Sequence, residues 1–286
     1  MPELPEVETI RRQLAPRVAG RTIVEAEVLD SLWCAPRPPE EVEHDLRGEL
    51  IEGLDRRGKY LVISLEGERF LVMHLRMTGN LLWVDAGDDA SGRPYLRVRL
   101  VLDDDHRLLF VDLRRFGTGL VIDGRDELEA YFGARLGPEP LDPEFTPAVL
   151  AREARGRKAP IKAFLLDQRR IAGVGNIYAD EALFRARLHP LRPAGRLRRS
   201  ELERLHAGIV ETLEAGIRWQ GASIDRYRDS NGARGSMQKE FLVHLREGEP
   251  CVRCGRPVVK LVAAGRGTYI CPRCQAPPRS RRRVAA

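Results

Sequence analysis

The chain has 286 residues, of which 43% are hydrophobic and 31% charged. This is ordinary globular composition, large enough for two domains and a small added module, and it excludes a disordered chain. Lys plus Arg is 48 against 42 for Asp plus Glu, a formal net charge of +6; a polyanionic partner and a merely basic protein fit that balance about equally. No run reaches the ~18 apolar residues of a membrane span, so no membrane partner is expected. The start, with Glu3, Glu6 and Glu8 in place of a basic end and apolar centre, is unlike a signal peptide, so a cytoplasmic location is expected.

Pro5 suits the first turn of a helix, and Val7, Ile10, Leu14 and Val18 recur at helical spacing until Gly20. Pro16 inside that run is expected to kink or shorten it. Tyr60 to Leu65 and Arg69 to Leu75 are rich in strand formers and flank a turn at Glu66-Gly67-Glu68. Leu96, Val98, Leu100 and Leu102 alternate as a half-buried strand does, and Asp103 to Asp105 turn the chain into a further strand from Leu108 to Leu113. The first 125 residues therefore read as a mostly antiparallel β domain with one N-terminal helix.

Helical periodicity follows near 125–135, 146–155, 160–168, 176–187 and 200–217, the last with Ser200 and Glu203 as a capping box. The polar, glycine-bearing stretch from Gln220 to Gln238 reads as a long loop, a kind that is usually functional or mobile. No internal repeat is visible. Cys34 stands alone and reads as a small buried hydrophobe. Arg279, Arg281, Arg282 and Arg283 form a basic tail suited to non-specific phosphate attraction.

Cys251-Val-Arg-Cys254 and Cys271-Pro-Arg-Cys274 are CxxC pairs separated by sixteen residues. Two such turns supply four thiolates at the corners of a tetrahedron, which predicts one structural zinc ion with no open coordination position. Between the pairs, Val259 to Val262 and Gly265-Arg266-Gly267-Thr268 read as a hairpin carrying an arginine, a side chain that grips phosphate well.

Met-Pro-Glu-Leu-Pro-Glu-Val-Glu-Thr at the start resembles that of the formamidopyrimidine-DNA glycosylases. So do His74-Leu-Arg-Met-Thr-Gly79, Asp112-Leu-Arg-Arg-Phe-Gly117, Leu136-Gly-Pro-Glu-Pro140, Gly173-Val-Gly-Asn-Ile-Tyr178 and the cysteine module. The motifs come in family order along nearly the whole chain. The resemblance implies an α+β multidomain fold. Its expected parts are an N-terminal β-sandwich domain with one helix (1–125), a helix-two-turns-helix domain carrying a lesion-recognition loop (126–236), a four-cysteine zinc ribbon (237–276) and the basic tail (277–286).

The same resemblance implies a bifunctional glycosylase and abasic-site lyase for oxidised purines in base excision repair, with damaged double-stranded DNA as partner and one subunit sufficient. Pro2, exposed as an N-terminal secondary amine by removal of Met1, would be the nucleophile. An α-amine near pKa ~8 is partly free base at neutral pH and forms an iminium with a sugar C1′. Glu3 would move protons, Lys59 and Arg266 would assist, and Glu6 would support them. Met77, Arg114 and Phe116 would fill the gap left by an extruded base. His74, Lys158, Asn176 and Arg266 would hold phosphates, Asn176 at a helix N-terminus. Ser223, Tyr227 and Arg228 match the loop that closes over the lesion. Two departures stand out: Arg228-Asp-Ser-Asn-Gly-Ala-Arg-Gly235 differs from the commoner loop, and Tyr95 lies where many relatives carry a DNA-contacting histidine. Two other readings stay open, an endonuclease VIII-like enzyme for oxidised pyrimidines and a non-catalytic zinc protein that binds damaged DNA.

Overall fold

A computed structural model describes residues 1–88 and 92–277; the basic tail from Arg279 to Arg283 lies outside them. The chain divides into two units, Met1–Leu136 with Ala215–Lys239, and Gly137–Glu214 with the described residues from Glu240 onward.

In chain order the first unit contains α1 (Leu4–Val18), β1 (Ile23–Val28), α2 (Ser31–Cys34), α3 (Pro39–Leu46), β2 (Ile51–Arg57), β3 (Tyr60–Leu65), β4 (Arg69–His74), β5 (Gly79–Val84), β6 (Leu96–Leu102), β7 (Arg107–Asp112), β8 (Thr118–Asp123) and α4 (Arg125–Gly133). The strands form two antiparallel four-stranded sheets, β1-β6-β7-β5 and β2-β3-β4-β8. Val98, Leu100, Leu108 and Phe110 of one sheet share a core with Leu61, Ile63, Leu71 and Met73 of the other, so this is the expected sandwich. The stripe Val7, Ile10, Leu14 and Val18 brings α1 into the same core. The helix runs on through Pro16 to Val18 instead of stopping there. Cys34 is buried, as expected, and burial pushes its thiol pKa up.

The second sheet is buried on both faces. Val62, Phe70, Val72 and Ile122 point away from the sandwich core and pack against Leu128 and Phe132 of α4. That packing holds 125–133 in the first unit, although the change from strand to helix periodicity put a boundary at 125. The segment 215–239 also groups with this unit: Asp229 accepts from Gln13 of α1, and Asn80 of β5 accepts the Arg228 N–H.

The second unit contains α5 (Pro147–Ala154), α6 (Ile161–Leu166), α7 (Asn176–Arg185), most of α8 (Arg199–Arg218), β9 (Val259–Ala263) and β10 (Arg266–Ile270). Leu202, Leu205, Ile209 and Leu213 give α8 its buried stripe. Its N-terminus differs from the expected capping box. The Arg198 N–H donates to Glu201 at 2.8 Å, and Glu203 pairs with Arg199 at 3.0 Å. Ser200 already lies inside the helix. Among the described residues, no helix is long and apolar enough to cross a membrane.

Candidate active site and nucleic-acid interface

The N-terminus is locked by its own helix. Glu3 caps α1, and its N–H donates to Glu6 Oε2 at 2.8 Å, a reciprocal arrangement that fixes the first turn. Pro2, Glu3 and Glu6 are all buried, while Met1 is exposed. Glu6 Oε1 accepts the Ala222 N–H at 2.7 Å, so one carboxylate joins the chain start to the loop that begins at 220. Gly221, at φ 80°, makes that approach possible. A Cβ there would sit 2.8 Å from Glu6 Cγ and 2.9 Å from Tyr227.

The 220–238 loop is ordered by its own polar groups. Ser223 Oγ donates to the Tyr227 carbonyl at 2.8 Å and accepts the Gly235 N–H at 3.0 Å. Tyr227 lies in the sandwich core, with its hydroxyl 3.3 Å from the Glu6 carbonyl, and burial pushes its pKa up. Ser223 and Tyr227 therefore shape the loop from within. The exposed residues of this stretch are Gln220, then Ile224, Asp225 and Arg226, then 231–234. Arg228 is half-buried, and its N–H is held by Asn80 at 2.9 Å.

Lys59 follows Gly58 in the β2–β3 turn and is buried, which its composition alone would not suggest. It lies close enough to His74 for its charge to act on the imidazole. Burial first, then the charges of Arg76 and Lys59, lower the His74 pKa to about 3. Nδ1 accepts the Arg76 N–H at 2.9 Å, so the neutral ring carries its proton on Nε2, a donor suited to phosphate. The unfolded ring titrates near ~6.5. Between those values the unfolded chain binds a proton that the folded one refuses. Stability is unaffected by this group above ~6.5 and falls as pH drops towards 3. His74→Gln is expected to flatten the stability–pH curve between about pH 6 and 4 by up to ~1.4 kcal/mol per pH unit. Urea unfolding across that range measures it, and an unchanged slope would mean His74 titrates normally.

Met77, Arg114 and Phe116 come together on two neighbouring loops. All three are exposed, Phe116 at 50%, and the Arg114 guanidinium stacks on the Phe116 ring at 4.7 Å. Met77 and Phe116 are apolar yet sit exposed at turn tips, whereas the same residues mid-strand would be core. What fixes them is Asp112, which is 1% exposed. Its carboxylate accepts from the Thr78 hydroxyl and from the N–H groups of Arg114 (3.2 Å), Phe116 (2.9 Å) and Gly117 (2.7 Å). Arg115 points the other way into a bidentate pair with buried Asp30, both bonds 2.8 Å, which holds that carboxyl below the usual range. Tyr95, exposed and at φ 66°, joins the cluster through its carbonyl, which accepts the Asp112 N–H at 2.9 Å. Asp112→Ala would take the acceptor from the buried Thr78 hydroxyl and Gly117 N–H and from the part-buried Phe116 N–H, so a loss of ~3 kcal/mol is expected in thermal or denaturant unfolding.

In the second unit, Asn176 opens α7 after a turn built by Gln168. That side chain donates to the Val174 carbonyl and accepts the Gly173 N–H. Asn176 Nδ2 donates to the Gly267 carbonyl at 3.2 Å, beside Arg266. The hairpin turns at Ala264 (φ 52°) and Gly265 (φ 68°), the pair of left-handed residues a tight two-residue turn requires, and exposed Arg266 follows directly. Behind it Lys162, fully buried, donates to Asp180 at 2.6 Å and to Thr268 at 2.7 Å. Asp180 also holds His244 Nδ1 at 2.8 Å. This network was not legible in the sequence, where Lys162 is one cation within a helical run. Lys158 is exposed in the segment between α5 and α6.

The four sulfurs of Cys251, Cys254, Cys271 and Cys274 lie within 4.8 Å of one another, with pairs at 3.4 and 3.9 Å. A tetrahedral zinc with bonds of ~2.3 Å requires sulfurs ~3.8 Å apart. The Arg253 and Cys274 N–H groups point at Cys251 and Cys271 sulfurs at 3.4 Å, as knuckles around bound thiolates do. The residues fit one structural zinc.

The formamidopyrimidine-DNA glycosylase N-terminal domain model matches residues 1–119, the formamidopyrimidine-DNA glycosylase H2TH domain model matches 136–228, and the zinc finger found in FPG and IleRS matches 248–277. A formamidopyrimidine-DNA glycosylase of Symbiobacterium thermophilum is 48% identical over 97% of this chain and 90% of its own length. Two Lactococcus lactis Fpg structures, a variant with Fapy-dG-containing DNA and a complex with abasic-site DNA, each superpose with TM-score 0.89. Each is 36% identical and covers 96% of this chain and 100% of its own. With three consecutive domain models matched and that identity over nearly its whole length, this chain belongs to the formamidopyrimidine-DNA glycosylase family.

Proposed function

We infer that this protein is a DNA glycosylase and abasic-site lyase that removes oxidised purines during base excision repair. The observation that carries the reading is the chain start: Pro2, Glu3 and Glu6 buried on one locked helix turn whose carboxylate also holds the 220–238 loop.

Once Met1 is removed, the Pro2 nitrogen is a secondary amine. It attacks C1′ of the damaged nucleoside, the C1′–N bond to the base breaks, and the base leaves with a proton. The Pro2 nitrogen loses its proton, O4′ gains one, and the C1′–O4′ bond breaks as the nitrogen lone pair forms the iminium, whose electron demand acidifies the C2′ hydrogen. Glu3 delivers and removes these protons. Loss of the C2′ proton expels the 3′ phosphate, and a second elimination expels the 5′ phosphate, leaving a one-nucleotide gap. Lys59 and Arg266 hold the charges that develop. His74, Lys158 and Asn176 grip phosphates, while Met77, Arg114 and Phe116 occupy the space of the extruded base, with Tyr95 beside them. Ser223, Tyr227 and Arg228 form the frame of the loop that covers that base. The zinc, held by the four cysteines, is structural and supplies no chemistry. We place the enzyme with its DNA in the cytoplasm, acting as one subunit.

Strand cleavage compared on 8-oxoguanine and thymine glycol duplexes tests the reading. Preference for 8-oxoguanine is expected; preference for thymine glycol would transfer the enzyme to oxidised pyrimidines, and damage-specific binding without cleavage would make it a recognition protein.

A further inference from the structure

The 220–238 loop is tied to α1 twice. The first tie is Glu6 to Ala222. The second lies seven residues further along the same helix, about 10 Å at 1.5 Å per residue. There the Gln13 side chain uses both ends. Its Oε1 accepts the Ser230 N–H at 3.0 Å and the Ser230 hydroxyl at 2.8 Å, and its Nε2 donates to Asp229 at 2.9 Å. Ser230 and Asp229 are buried, and the Ser230 carbonyl accepts the Trp83 N–H of β5 at 2.8 Å. Asp229 in turn accepts the Asn231 and Ala233 N–H groups, so the shape of the exposed arc 231–234 depends on it.

From this bonding pattern we propose that Gln13 is a positioning residue that sets the lesion loop against the nucleophile helix and thereby governs base removal. The inference rests on the glycosylase reading above. A half-buried glutamine far along a helix does not touch the reacting atoms. It acts by making the loop and the helix bearing Pro2 and Glu3 one body, so that a base covered by the loop is held in register with the amine. An abasic sugar has no base for the loop to cover, so its cleavage by Pro2 is independent of that register. The two activities of one enzyme should therefore respond differently, which a general loss of folding would not produce.

The test measures base release from an 8-oxoguanine:C duplex and strand cleavage at a pre-formed abasic site under single-turnover conditions. For Gln13→Leu, base release is expected to fall about tenfold, the effect of ~1.4 kcal/mol, while abasic cleavage stays within about twofold. The double variant Q13E/D229N reverses donor and acceptor across the tie and keeps both Ser230 bonds, so it should recover base release, whereas Q13E alone sets two carboxylates together and should not. Should Gln13→Leu fail to fold, Ser230→Ala removes one bond of the tie and should shift the same ratio by about threefold. Parallel loss of both activities, or unchanged base release in a folded Gln13→Leu protein, would overturn the proposal. Failure of the wild type to release 8-oxoguanine while cleaving thymine glycol would instead overturn the substrate reading.

Discussion

Protein that keeps any residue ahead of Pro2 is expected to lose base excision and strand cleavage together, by roughly 10⁴-fold or more, the scale on which loss of a covalent nucleophile acts. An amide nitrogen has no basic lone pair, so a retained Met1 or an N-terminal extension removes the amine without altering a single side chain. Borohydride should trap an adduct on an 8-oxoguanine:C duplex with processed protein, mass mapping should place it on Pro2, and the extended form should give none. Glu3→Gln should leave the helix start intact, because the bond to Glu6 uses the Glu3 backbone N–H and a glutamine oxygen can still accept the Glu6 N–H, yet lower the rate by about 10²–10⁴-fold. An adduct that maps to Lys59, which is also buried in this unit, would move the nucleophile there. Full activity of the extended form would sink the imine mechanism.

Removing zinc is expected to have the second largest effect. The ribbon has a small core, Val243, Val258 and Tyr269 packed with the cysteines and Phe184, and Val259 and Val262 of β9 are exposed. A segment with so little buried area depends on its metal for roughly 10 kcal/mol or more of folding free energy. Chelation or Cys274→Ser should abolish amide protection over 251–275 and release Arg266 and the backbone that Asn176 holds. It should also remove the Thr268 hydroxyl from Lys162 and leave the buried Lys162–Asp180 pair exposed to water. Charge-assisted hydrogen bonds to phosphate are worth ~1.5–3 kcal/mol each, so without two of them duplex affinity should fall at least about a hundredfold. Hydrogen exchange should show the first unit unchanged. Unaltered affinity and protection in protein shown to be free of zinc would refute a structural role for the metal.

Local patterns carried much of this protein in the sequence itself. The strands at 60–65 and 96–102, the five helical segments and the turn at Gly67 follow from residue periodicity and turn chemistry, which act over a few residues. The CxxC pairs were readable for the same reason, since each pair needs one tight turn, and the motif set identified the family. Tertiary structure decided what depends on residues far apart in the chain. It placed α4 on the outer face of the second sheet and the 220–238 loop on α1, across the boundaries expected at 125 from periodicity and at 236 from the resemblance, because packing partners and not chain order decide which unit a segment joins. It made Asp112 the organiser of the loops carrying Met77, Arg114 and Phe116 through four converging donors, and buried Lys162 beside Asp180, although each is a single charge to any local reading. It also joined Gln13 to Ser230 across 217 residues, where no spacing along the chain could announce the bond. A hydrogen bond records a meeting in space, and a sequence determines such meetings only through the fold as a whole.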